Sequence, residues 1–120
     1  MDDKKRKRLV MNEIRRLTCI FKEVESKKQR TIKGLIEESA FMKVTLLELK
    51  EIIQEEGVIN EMPQGDYSIM REHPALKSYN TTIQRYTTVV EKLLGLLPKD
   101  VQKNDDGLSE FSTFLNERED

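Results

Sequence analysis

From Leu76 to Leu97 the apolar residues Leu76, Tyr79, Ile83, Tyr86, Val90, Leu93 and Leu97 recur at alternating steps of three and four. Among regular structures only an α-helix gathers such residues into one stripe, and the near-3.5 period is that of a coiled-coil seam. Pro74 stands at the expected first helical position, where its missing N–H costs nothing, and Pro98 stops the run. The segment is expected to be a rod of about 23 residues, roughly 34 Å long. Its flank is unusual. Between Ser78 and Val90 the only charge is Arg85, although 36% of the whole chain is charged. A helix apolar on one side and uncharged on the other is expected to be covered on both. Self-association through Leu76, Tyr79, Ile83, Tyr86, Val90 and Leu93 would cover it, and so would packing under the N-terminal helices.

Upstream, Val10, Ile14, Leu17, Phe21 and Val24 step by four, three, four and three, which predicts a helix over roughly 3–25. Asp2 and Asp3 suit its positive dipole end. Arg8, Arg15 and Lys22 fall seven apart on one outer stripe. Ser26-Lys27-Lys28-Gln29 has the pattern of a capping box and predicts a second helix, with Ile32, Leu35, Ile36, Ser39 and Ala40 on one face. Thr45-Leu46-Leu47-Glu48 repeats the pattern and predicts a third helix to about Glu56. Leu46, Leu49, Ile52 and Ile53 would face inward, and Gly57 would be a left-handed stop. Three short helices in succession fit a helix-turn-helix and equally fit a small helical bundle or hairpin. Residues 58–72 then break the helical period around Pro63-Gln64-Gly65-Asp66, which predicts a short loop or a β-hairpin.

The composition agrees with a mainly α chain. Apolar residues make up 37%, below the usual roughly 45–50%, so the core must be narrow. Five Gly and three Pro leave little material for the turns of an all-β fold. No apolar run approaches the roughly 18 residues of a membrane span, and the N-terminus lacks a signal peptide's apolar stretch, so an intracellular chain is expected. The net charge of −1 conceals a polarity. Residues 1–33 carry 12 Lys and Arg against 5 Asp and Glu, a net +7; residues 34–120 carry 9 against 17, a net −8. Such segregation points to an anionic polymer as partner of the basic end. The cations offered to phosphates are Lys4, Lys5, Arg6, Lys7, Arg8, Arg15, Arg16 and Lys22, with Lys27, Lys28, Arg30 and Lys33 as a second set. The chain divides into a helical domain over 1–98 and an acidic tail over 99–120. Within the tail Leu108, Phe111, Phe114 and Leu115 share a helical face suited to docking on a partner.

Catalysis is not expected. There is no glycine-lysine phosphate loop, and neither a serine nor Cys19 has a recognisable base. Glu37-Glu38 and Glu55-Glu56 are adjacent pairs that diverge on a helix, so they read as solvated faces. With one cysteine and one histidine, His73, no Cys/His metal cluster is expected, and no cofactor.

The order of these parts resembles the small subunit of tailed-phage terminases, in its compact helical family. The residues that carry the likeness are Gly34-Leu-Ile-Glu-Glu-Ser-Ala-Phe-Met-Lys-Val-Thr-Leu and Gly57-Val-Ile-Asn-Glu-Met-Pro-Gln-Gly-Asp-Tyr. Arg71-Glu-His-Pro-Ala-Leu-Lys-Ser-Tyr-Asn80, Ile83-Gln-Arg-Tyr86 and the closing Leu96-Leu-Pro-Lys99 extend it. It covers roughly residues 25–99. His73 stands where that family is expected to have Asn, and either can cap a helix. The resemblance implies a non-catalytic, ring-forming protein in the host cytoplasm. Such a protein binds double-stranded viral DNA and regulates the large ATPase and nuclease subunit, which the tail would contact. A helical transcription regulator and a helical adaptor with no nucleic-acid role are the alternatives.

Overall fold

The computed structural model describes residues 1–98. The tail, with the docking face of Leu108, Phe111, Phe114 and Leu115, lies outside the described residues. The order is α1 (Asp3–Phe21), α2 (Ser26–Glu56), β1 (Ile59–Gln64), β2 (Tyr67–Glu72) and α3 (Pro74–Leu96). The architecture is mainly helical, with one small antiparallel hairpin.

Asp2 caps α1, its carboxylate accepting from the Lys5 N–H at 2.7 Å. The expected stripe turns inward: Leu17, Phe21 and Val24 are buried, and Val10 and Ile14 are half-buried. The helix ends at Phe21, earlier than the pattern suggested, because Gln29 reaches back. Its amide donates to the carbonyls of Phe21 at 3.1 Å and Val24 at 2.7 Å, satisfying groups that a further turn of helix would have used. Gln29 therefore closes α1 and does not complete a box with Ser26. The residue before α2 is Glu25, which makes no side-chain cap.

α2 corrects the expectation of two helices. It runs without a break through Thr45-Leu46-Leu47-Glu48 for 31 residues, about 46 Å. The residues that look like a start signal are otherwise engaged. Thr45 donates its hydroxyl to the Phe41 carbonyl at 2.9 Å and accepts from the Arg6 guanidinium at 3.0 Å, while Glu48 pairs with Arg6. Nothing between Leu35 and Glu56 is Gly or Pro, and α2 packs against both α1 and α3. Ser39 and Ala40, both 0% exposed, admit close approach. The antiparallel α1–α2 pair also removes the helix-turn-helix reading, which needs two short helices crossing at about 90–120°.

Gly57 ends α2 at φ 85°, ψ 171°, a region open essentially to glycine alone, and its N–H donates to the Ile53 carbonyl at 2.7 Å. The β-hairpin then pairs Ile59 with Glu72 through to Gln64 with Tyr67. Gly65 at φ 64°, with no positive φ at Asp66, is the pattern of a type II′ turn. His73 caps α3. Its Nδ1 accepts from the Ala75 N–H at 2.9 Å, and its Nε2 lies 3.3 Å from a Glu56 carboxylate oxygen, tying the end of α2 to the start of α3.

α3 has the expected extent, but its stripe is filled from within the chain. Tyr86, Val90, Leu93 and Leu97 form one core with Leu17, Phe21 and Val24 and with Ile32, Ile36 and Leu46 of α2; Tyr79 and Ile83 pack on its edge. Tyr86, Val90 and Leu93 are at most 2% exposed, so they present nothing to a second copy.

Candidate nucleic-acid and assembly surfaces

The antiparallel helices sort the twelve candidate cations into two poles. Arg6 and Glu48 hold the N-terminal part of α1 beside the later part of α2, whereas Gln29 holds the end of α1 beside the start of α2. Lys4–Arg8 and Lys27–Lys33 are therefore separated by roughly 30 Å along α2, and the structure does not bring them together.

At the first pole Lys4, Lys5, Lys7 and Arg8 are exposed. Acids accompany them: Asp2 caps the helix, and Asp3 lies 3.4 Å from the Lys7 ammonium. Arg6 belongs to the fold, pairing with Glu48 and lying 4.8 Å over the Phe41 ring. Arg16 is likewise structural. Its guanidinium bonds Glu13 at 2.8 and 3.3 Å, and Lys43 of α2 approaches the same carboxylate at 3.3 Å. Glu13, 6% exposed, is thus a buried anion held by two cations, a role not foreseen from sequence.

The second pole surrounds the α1–α2 connection. Lys22, Lys27, Lys28, Arg30 and Lys33 are all exposed. The first turn of α2 has no acidic residue and no side-chain cap, so the positive end of its dipole adds to these cations. Glu23, Glu25 and Glu37 are the acids nearby in sequence. Beside the cations a groove of about 470 Å³ opens between α1 and α2, with Ile14, Phe21, Ile32 and Ile36 along its floor and Arg30 and Lys33 at its rim. Arg15 is exposed on α1 between the two poles.

The far end of α2 carries the opposite chemistry. Val58, Ile59, Tyr67, Ile69 and Met70 are 45–68% exposed on the hairpin. Every residue of β2 is exposed, and the sheet has only two strands, so each strand keeps one open edge. The register puts Ile59 and Met70 on one face and Met62, Ile69 and Tyr67 on the other. Two-stranded hairpins are marginal alone, and open apolar edges are templates for further pairing. Leu76 joins Val58, Ile59 and Met70 around a shallow depression at the hairpin's base. These hairpin side chains, not the α3 seam, are the apolar surface that sequence reading missed. The short alternation within 59–62 and 67–70 was its only signal.

The outer flank of α3 is exposed and nearly neutral. Thr81, Thr87 and Thr88 turn their hydroxyls onto the carbonyls of Lys77, Ile83 and Gln84 at 2.9–3.2 Å, which leaves a smooth, weakly polar face. Among the described residues no three His, Cys, Asp or Glu come together as a metal would require, and no helix is long and apolar enough to cross a membrane. No protein family, curated protein or solved structure matches the chain.

Proposed function

We propose that the chain is a small terminase subunit: a non-catalytic, ring-forming protein that binds double-stranded viral DNA in the host cytoplasm and regulates a large ATPase and nuclease subunit during packaging. The observation that carries the reading is the placement of unlike surfaces at the two ends of α2. Exposed cations and an uncapped positive helix end lie at its start; an apolar hairpin with open edges lies at its finish. Such a chain suits an anionic polymer at one end and copies of itself at the other. The resemblance over residues 25–99 supplies the biological setting.

In this reading phosphates meet Lys22, Lys27, Lys28, Arg30 and Lys33 first, with Arg15 extending the surface. Lys4, Lys5, Lys7 and Arg8 form a secondary contact. The hairpin of one copy docks on the neutral α3 flank of the next. Two different patches on one chain make a head-to-tail contact, which generates a ring when the rotation closes. The large subunit is contacted through the tail.

Native mass spectrometry with duplex-DNA binding over a salt series tests the reading. A species of many copies whose affinity falls steeply with salt is expected. A dimer that binds a single short operator would make the chain a transcription regulator, and absence of DNA binding at low salt would make it an adaptor.

A further inference from the structure

We propose that the groove between α1 and α2 is the seat of the chain's own acidic tail, and that the tail there competes with DNA for the same cations; the second clause rests on the DNA-binding reading. The groove is apolar below and basic above. Phe21, Ile32 and Ile36 lie along its floor, and Arg30 and Lys33 stand at its rim, with Lys22, Lys27 and Lys28 exposed on the same pole. Its 470 Å³ suits a few large side chains and is small for a folded partner.

Three observations select the occupant. The first is where the described chain ends. Leu97 is 4% exposed and shares a core cluster with Phe21 and Ile32, the residues that also line the groove, so the tail sets out from beside it. The second is length. Leu108 follows Leu97 by eleven residues, and a chain of that length spans at most about 36 Å, ample to turn back over the rim. The third is complementarity. Residues 99–120 carry seven acids against three bases, and among them Leu108, Phe111, Phe114 and Leu115 fall at helical spacing. An apolar face framed by carboxylates matches an apolar floor framed by ammonium and guanidinium groups.

The consequence follows from the geometry. With Phe111 and Phe114 in the groove, Asp105, Asp106, Glu110 and Glu117 are brought among the cations that would take phosphates. DNA must then displace the tail, and an engaged tail withholds its docking face from the large subunit. DNA binding and release of that face become two readings of one equilibrium, linked in both directions.

The chain contains its own reporter. Cys19, the sole cysteine, is exposed and adjoins Thr18, which lines the groove. In full-length protein carrying Ser112→Cys, a short bismaleimide is expected to give a cross-linked species of single-chain mass. The yield should fall several-fold when Phe111→Ser and Phe114→Ser are added. The same two substitutions, which leave every tail charge in place, should raise duplex-DNA affinity by roughly fivefold or more at fixed salt. Cross-linking indifferent to the two phenylalanines would overturn the proposal, and products only of two-chain mass would give the groove to a neighbouring copy's tail. Should no variant bind DNA, the competition and the DNA-binding reading fall together, while the cross-link still decides whether the tail occupies the groove.

Discussion

Glu13 carries a charge into the seam between α1 and α2, where it is 6% exposed and answered by Arg16 and Lys43. Taking one partner from a buried ion group leaves the others desolvated and unpaired, which costs about 3–5 kcal/mol. Arg16 keeps 30% of its side chain in water, so the lower end applies. Glu13→Ala is expected to lower unfolding stability by about 3 kcal/mol in urea titrations, and Lys43→Leu placed on that background should recover part of the loss. A loss below about 1 kcal/mol, the usual value of an exposed pair, would return Glu13 to the surface. Nothing local in the sequence marks this residue, since one of its partners lies thirty positions away and the helix around it is rich in charge. Gly57 is the opposite case. Its stop was legible, because a glycine closing an apolar-periodic run has few other uses. Its backbone goes further into glycine-only territory than the expected left-handed cap. Gly57→Ala should cost about 1–3 kcal/mol, and the strain lies in φ and ψ, because a Cβ there would meet nothing closer than the Ile59 carbonyl oxygen at 3.8 Å.

At the scale of elements, α3 shows what periodicity can and cannot tell. Seven apolar residues in register established a helix and its inner face, yet a stripe does not say whether the covering surface is another copy or the same chain. Here it is the same chain, and the reason is α2. Read as two short helices, residues 26–56 offer too little surface to cover α3; as one 31-residue helix they cover it along much of its length. The misreading came from Thr45 and Glu48, whose side chains serve Arg6 and so imitate a capping box inside a helix. The hairpin was legible as an alternative to a loop because Pro63-Gln64-Gly65-Asp66 is turn chemistry, but its exposure was not, since burial depends on what packs above it. A contrast between elements follows. Val90→Glu places a charge in a 2%-exposed core site and should unfold the protein or lower its stability by several kcal/mol. Ile69→Lys with Met70→Lys alters only exposed positions, should leave the unfolding midpoint nearly unchanged, and should reduce the assembly to monomer. Thr81→Glu with Thr88→Glu on the α3 flank should do the same. Mixing the hairpin pair with the flank pair should restore one contact only, so native mass spectrometry is expected to show a dimer and nothing larger. A mixture that remains monomeric would mean that hairpin and flank do not meet.

Across the whole molecule the decisive property is how charge is distributed by folding. The sequence places twelve cations in the first 33 residues, which invites the picture of one basic patch. The antiparallel turn divides them instead, and packing withdraws Arg6 and Arg16 into ion pairs. The two remaining groups differ in what surrounds them. Near Lys4, Lys5, Lys7 and Arg8 an aspartate caps the helix and a second pairs with Lys7, so incoming phosphates must compete with fixed carboxylates. Near Lys27, Lys28, Arg30 and Lys33 the helix end is uncapped and adds its own positive potential. Counterion release makes the ranking measurable, because each phosphate neutralised contributes about 0.9 to the slope of log affinity against log salt. Replacing Lys27, Lys28, Arg30 and Lys33 with Gln is therefore expected to reduce that slope by roughly 2–4 while circular dichroism and assembly mass stay unchanged. Replacing residues 4, 5, 7 and 8 with Ser should reduce it by no more than about 1–2. The opposite ranking would move the nucleic-acid surface to the start of α1, and with it the path of DNA across the assembly, because the two poles lie some 30 Å apart along α2.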